Sequence, residues 1–119
     1  MRGQTIAYVD CFSGASGDML LGALLDAGLP LEALQEELDK LGLEGYTLSV
    51  ERVRRHAITG SQLKIEIDES QHPARNLVMV RELLTAAPLD GEIADASLRV
   101  FERLASAEAT IHGMDVDEV

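Results

Sequence analysis

A short polar loop between two apolar segments constrains the fold of this chain most. Residues 6 to 9 form an uninterrupted apolar run, typical of a buried strand, and residues 19 to 27 are apolar on nearly every face of a helix. The residues between them include two glycines that permit sharp turns, two serines, a thiol and two carboxylates. The sequence therefore predicts a strand, a tight loop and a helix covered on both sides, with the loop placed where binding sites are common.

The next segments alternate between helical and strand periodicity. Pro30 and the leucines that follow at three- and four-residue steps predict a helix that Gly42 ends. Apolar and polar residues then alternate over 46 to 53 and over 62 to 68, which predicts two half-buried strands. We expect a wide hairpin or a bulge near Gly60 between them, because the linking residues are too many for a two-residue turn.

Two further helices complete the predicted order. Asn76 is a plausible cap for a helix that ends before Pro88, and a long helix from about Asp90 is stopped by Gly113. The order β-α-α-β-β-α-α predicts an α+β fold with a small sheet of about three strands and helices packed on one face. The first strand should pair with one of the two later strands, and the helix at 19 to 27 should be the most buried.

Composition limits the classes of function. A length of 119 residues with 46% hydrophobic content predicts one domain, residues 1 to 119. The formal charge of −11 argues against a surface for nucleic acid or for an anionic membrane, and the N-terminus resembles neither a signal peptide nor a membrane span. A single cysteine excludes an internal disulfide and favours a cytoplasmic location.

The loop has the chemistry of a site for a metal, or for a metal bridged to an anion. If Ser16 or Gly17 opens the helix, its free N–H groups and its dipole attract an anion, and Ser13 and Gly14 add a hydroxyl and an amide. Two carboxylates would repel a bare phosphate unless a cation lay between them. The candidate metal ligands are these two carboxylates, Asp10 and Asp18.

Each of these residues also has a purely structural interpretation. Asp18 is in a position where acids complement the helix dipole, and Ser13 or Ser16 could serve only as a cap. Cys11, directly after an apolar run, is more often a small buried hydrophobe than a nucleophile. His112 is a last-turn residue that the helix dipole favours, and His56 is expected to be exposed.

Three stretches resemble the nickel insertion proteins of nickel-pincer nucleotide biosynthesis, the LarC family. Residues 8 to 25, Tyr-Val-Asp-Cys-Phe-Ser-Gly-Ala-Ser-Gly-Asp-Met-Leu-Leu-Gly-Ala-Leu-Leu, are similar to the N-terminal signature of that family. Residues 57 to 61 and residues 105 to 113, followed by 117 to 119, add to the resemblance. We therefore expect the chain to be the N-terminal fragment of a longer protein.

The resemblance implies a cytoplasmic chelatase of the lyase class. Such a protein inserts nickel into a pyridinium-3,5-bisthiocarboxylate mononucleotide, with CTP required by the full-length protein, and its product serves an enzyme such as lactate racemase. On this hypothesis Asp10 and Asp18 are catalytic and bind nickel, or magnesium or manganese, while four loop residues hold the substrate: Ser13, Gly14, Ser16 and Gly17. His112 is a further candidate metal ligand, near a histidine-rich segment that the family places after the position of Val119.

Other functions remain open from the sequence. The chain could be a structural or oligomerisation domain without chemistry of its own, and apolar positions on the last helix, with Val116 and Val119 beyond it, predict a homo-oligomer. A hydrolase that uses Cys11 as its nucleophile is the weakest hypothesis, because no histidine has an obvious spacing for the base. The isolated 119 residues are expected to be inactive.

Overall fold

The computed structural model describes residues 3–71 and 73–119, so Met1, Arg2 and His72 lie outside the described residues. The main elements, in chain order, are the helices α1 (Gly17–Asp26) and α2 (Leu31–Asp39), the strands β1 (Tyr46–Arg55) and β2 (Ile58–Ile67), and the helices α3 (Leu77–Ala86) and α4 (Gly91–His112). Single 3-10 turns occur at Glu69–Gln71 and Val116–Glu118. The predicted α+β class is confirmed.

The sheet has two strands rather than the predicted three. β1 and β2 pair antiparallel, with Tyr46 opposite Ile67 at one end and Arg55 opposite Ile58 at the other. The prediction of a strand at residues 6 to 9 was wrong, because these residues have no regular secondary structure. An apolar run becomes a strand only when another strand satisfies its backbone groups, and in the described part of the chain this run pairs with neither β1 nor β2.

The hairpin is tighter than the sequence predicted. β1 and β2 continue in register through the pair formed by Val53 and Gly60, without a bulge, and they are joined by only two residues, His56 and Ala57. Both turn residues have positive φ, 49° for His56 and 73° for Ala57. The prediction of a wide hairpin was wrong because the side-chain alternation indicated a first strand that ends two residues too early and a second strand that begins four residues too late. Backbone pairing continues through the polar residues near the turn.

Replacing Ala57 with glycine will stabilise the protein by about 1 kcal/mol, because a left-handed conformation costs an L-residue roughly 1–2 kcal/mol and costs glycine little. The φ of Ala57 is 73°. Ala87 has an ordinary φ of −70°, so Ala87→Gly provides the control and will lower the free energy of unfolding. Urea denaturation of the three proteins checks both signs, and a loss of stability in Ala57→Gly would contradict the turn conformation.

α1 lies against β2 with its backbone close to the strand. A Cβ atom on Gly22 would come within 3.0 Å of the Ser61 carbonyl oxygen, which is why the helix has its one buried residue there. The prediction that this helix would be the most buried was wrong, because Leu20 is 43% exposed and Leu24 is 51% exposed. A two-stranded sheet covers one side of a helix and leaves the opposite side open.

α3 and α4 pack mainly on each other and on the turn at Val116–Glu118. Their predicted ends are confirmed: the Asn76 side chain accepts a hydrogen bond from the Met79 N–H at 2.9 Å, and Gly113 ends α4 with a φ of 63°. Among residues 3–71 and 73–119, the buried hydrophobic side chains are those of Leu63, Leu77, Leu84 and Ala105. In the part of the chain that the structure describes, none of the helices has both the length and the apolar composition needed to cross a bilayer.

Candidate functional site at the loop before helix α1

The loop that precedes α1 is a turn exposed to solvent. The Gly14 N–H donates to the Cys11 carbonyl oxygen at 2.9 Å and closes the turn. Gly14 has a φ of +81°, a left-handed conformation that explains why glycine occupies this position. Cys11 is exposed, so the interpretation of this thiol as a small buried hydrophobe was wrong. We expected Cys11 to be buried because we expected the residues before it to form a strand in a covered sheet. They do not form a strand in the structure.

Ser16 is the residue at which the loop becomes helix. Its φ and ψ are −95° and 168°, an extended conformation, while its carbonyl oxygen already accepts the first helical hydrogen bond from the Leu20 N–H at 3.1 Å. The Ser16 hydroxyl donates a short hydrogen bond to the Asp18 carboxylate. The Ser16 N–H donates a hydrogen bond to the Met19 sulfur, with 3.5 Å between nitrogen and sulfur.

The carboxylate of Asp18 is held in its charged form. The hydroxyl of Ser16 has the largest effect and lowers the pKa of Asp18 below its ordinary value, while partial desolvation opposes it and the backbone N–H groups of Met19 and of Asp18 itself add to it. Asp18 is therefore ionised at neutral pH and lies over the positive end of the α1 dipole. The carboxylate must be ionised both to bind a cation and to interact favourably with the helix dipole.

Removing the Ser16 hydroxyl will raise the pKa of Asp18 toward its ordinary value, because the charged form loses the hydrogen bond that favours it most. Carbon-detected NMR titration of the Asp18 carboxyl in Ser16→Ala measures the shift. Ser13→Ala is the matched control, since the Ser13 hydroxyl makes no hydrogen bond to Asp18 in the structure. An unchanged pKa in Ser16→Ala would show that the hydroxyl does not hold the carboxylate.

Only some of the predicted site residues contact each other in the structure. The side chains of Ser16 and Asp18 form a hydrogen bond, and Gly17 is the first residue of α1. Asp10 is exposed, and His112 ends α4 with its Nε2 atom 3.1 Å from the Glu108 Oε2 atom. Within residues 3–71 and 73–119, no group of three or more His, Cys, Asp or Glu side chains is arranged to hold a metal ion.

A polar cluster that sequence reasoning missed fixes the other end of α1. Asp26 Oδ1 accepts from the Arg52 Nη1 group at 2.6 Å and from the Ser61 hydroxyl at 2.8 Å. The Ser61 hydroxyl is the largest cause of the lowered pKa of Asp26, and the Arg52 guanidinium adds to it. These residues are far apart in sequence, so no local pattern could have revealed the cluster. It ties α1 to the hairpin and thereby positions the helix whose first turn carries the loop.

Comparison with known proteins assigns the chain to a family. A family model described as nickel insertion protein matches residues 7–119. The chain belongs to the nickel insertion protein family. It is 48% identical over 113 residues to a putative nickel insertion protein of Syntrophobacter fumaroxidans, with 95% of this chain and 29% of the relative covered. No solved structure matches the chain.

Two further relatives of this nickel insertion protein family member carry a more specific name. Both are called pyridinium-3,5-bisthiocarboxylic acid mononucleotide nickel insertion protein. The one from a Nocardioides species is 48% identical over 98% of this chain and 29% of its own length. The one from Desulfitobacterium hafniense is 42% identical over 95% of this chain and 28% of its own length. The chain thus spans less than a third of the length of these relatives.

Proposed function

We propose that this chain is the N-terminal part of a protein that inserts nickel into the pyridinium-3,5-bisthiocarboxylic acid mononucleotide. The observation that supports this most is the 48% identity, over 98% of the chain, to the Nocardioides relative that carries this name. The reaction class is a chelatase, because the nickel ion is transferred to sulfur ligands of the organic substrate. Nickel is therefore a substrate here.

The loop before α1 supplies suitable groups for this reaction. The Asp18 carboxylate is ionised and exposed, and Asp10 contributes a second carboxylate at the other end of the loop. Oxygen ligands hold nickel less tightly than thiolates do, so a site of this kind can release the metal to the thiocarboxylates of the substrate. We assign Asp10 and Asp18 to the metal, with magnesium or manganese as other cations they could hold, and His112 as a further ligand in the full-length protein.

The substrate phosphate has a complementary place beside these carboxylates. Ser13, Gly14, Ser16 and Gly17 offer hydroxyl and amide donors at the start of α1. The Asp18 carboxylate now accepts from the Ser16 hydroxyl and the Met19 N–H, which are the donors that a phosphate would use. A cation that draws this carboxylate away would free them. Binding of the cation should then raise the affinity for the phosphate, and binding of the phosphate should raise the affinity for the cation.

Further features of the proposed protein come from the family resemblance. It is cytoplasmic and of the lyase class, it requires CTP, and residues outside these 119 provide the nucleotide site. The 119 residues alone are inactive. The product is a cofactor for enzymes such as lactate racemase, and the working protein is a homo-oligomer. The exposed apolar residues of α4 favour such an assembly, since Val100 is 67% exposed and Ile111 is 78% exposed.

A chimera tests the proposed function directly. Residues 1 to 119 of this chain are joined to the remainder of the Nocardioides relative, and the purified protein is incubated with the precursor nucleotide, Ni²⁺ and CTP. Mass spectrometry should detect the nickel-containing nucleotide with the chimera and not with the 119 residues alone. If the folded chimera makes no product while the unaltered Nocardioides protein does, this chain does not serve the reaction.

The exposed face of α4 also supports a second candidate function. Ile93, Val100 and Leu104 are all about half exposed or more, which is typical of an interface rather than of a free surface. On this alternative the chain is a structural or oligomerisation domain, and the metal chemistry belongs entirely to other residues. Substitutions at Asp10 and Asp18 then have no effect on product yield, which separates the two functions.

A further inference from the structure

The segment before the loop combines apolar side chains with unpaired backbone. Within the two described stretches, no hydrogen bond joins residues 4 to 10 to any other residue. Ile6 is 81% exposed, Tyr8 is 88% exposed and Val9 is 57% exposed. A segment that exposes this many large apolar side chains is typical of an interaction site.

The residue types of this segment favour one particular mode of binding. Ile6 and Val9 are β-branched and Tyr8 is aromatic, all of which are enriched in strands. A run with free N–H and C=O groups and apolar side chains can add to the edge of a sheet, where the backbone supplies affinity and the side chains fill pockets. The same N-terminal region carries exposed apolar residues on α1, where Leu20 and Leu24 lie one turn apart.

We propose that residues 4 to 10 form a β-strand with a sheet strand from the part of the family-length polypeptide that lies outside these 119 residues. The apolar side chains of residues 4 to 10 then face the interior of the complete protein. The loop at 11 to 16 follows the docked strand directly and is fixed from both sides, by the strand and by α1.

The length of the relatives indicates which partner covers this segment. The Syntrophobacter and Nocardioides relatives match this chain over only 29% of their length, so most of their residues are available to cover the surface. The inference depends on family membership and not on nickel transfer, so either can fail without the other.

Hydrogen exchange distinguishes the possible partners. Peptides that cover residues 4 to 10 are followed by mass spectrometry in the 119-residue chain and in the chimera with the remainder of the Nocardioides relative. We expect exchange to be slower by roughly 100-fold in the chimera, as for other strand amides, and fast in the 119-residue chain at every concentration. Equal rates in the two proteins, or protection of the short chain that grows with its concentration, would overturn the proposal.

A proline substitution tests the same pairing through stability. Ala7→Pro removes a backbone N–H and should lower the melting temperature of the chimera by several degrees, while the 119-residue chain, where that N–H is unpaired, melts as before. Ala7→Ser keeps the N–H and is the matched control. If the chimera does not fold, the same two substitutions at the aligned position of the intact Nocardioides protein decide the matter. Because only alternate N–H groups are paired in a strand with one neighbour, Tyr8→Pro is the companion variant; prolines without effect at both positions in the family-length protein contradict the strand.

Discussion

If Asp10 and Asp18 bind the metal as proposed, Asp18→Asn and Asp10→Asn will each lower the yield of the nickel-containing nucleotide by roughly 10- to 100-fold in the chimera, since even residues that only support the metal ligands contribute this much. The change keeps the size of the side chain and removes the negative charge that a hard or borderline cation prefers in an oxygen ligand. The loss should be larger at low nickel concentration, because a site of reduced affinity is then incompletely filled. Product is measured at equal concentrations of folded protein.

Asp115→Asn is a suitable control for this pair of substitutions. The side chain of Asp115 also caps a short helical turn, by accepting from the Asp117 N–H at 2.9 Å, but it is not part of the loop. If Asp18 is only a first-turn acid, then Asp18→Asn will resemble this control, with a small loss of stability and no loss of yield. Equal yields from wild type, Asp10→Asn and Asp18→Asn would remove both carboxylates from the mechanism.

Local sequence signals predicted most of the helices and their ends. Caps and stops act within a few residues, so Asn76, Asp90 and Gly113 could be identified without knowledge of the fold, and the structure confirms each of them. The two strands were also found, because one side of the hairpin packs on α1 and the side chains alternate accordingly. The turn between them depends on two residues with positive φ, His56 and Ala57, neither of which is typical of that position.

Apart from the hairpin turn, the features that were missed depend on distant partners. Residues 6 to 9 have the composition of a strand, yet composition does not show whether a run pairs with another strand, and in the described part of the chain this one pairs with neither β1 nor β2. The burial of α1 was overestimated because its apolar sides can be counted in the sequence, whereas the number of surfaces that cover it cannot. For the candidate site, the sequence named Ser16 and Asp18 separately, and their hydrogen bond is known only from the structure. The hydrogen bonds of Asp26 to Arg52 and Ser61 join positions too far apart in sequence to be recognised.

Gly22→Leu will destabilise the 119-residue chain by about 2 kcal/mol. Forcing a side chain into a close-packed contact costs roughly 3 kcal/mol, and the better helix propensity of leucine returns about 0.8 kcal/mol of that. A Cβ atom at this position would already lie 3.0 Å from the Ser61 carbonyl oxygen, and this oxygen belongs to the paired backbone of β2 and cannot turn aside. The helix must therefore move away from the strand.

Ala23→Leu is the matched control for this substitution, because it adds a leucine at the next position of the same helix, where the side chain is exposed. Thermal melts followed by circular dichroism should show a loss of about 10 °C for Gly22→Leu and little change for Ala23→Leu. Displacing α1 also breaks the contacts of Asp26 with Arg52 and Ser61, so Arg52→Ala should weaken the wild type more than it weakens Gly22→Leu. Independent, additive losses would mean that the close approach at Gly22 and the polar cluster do not hold α1 together, and that the loop before α1 is positioned by some other contact.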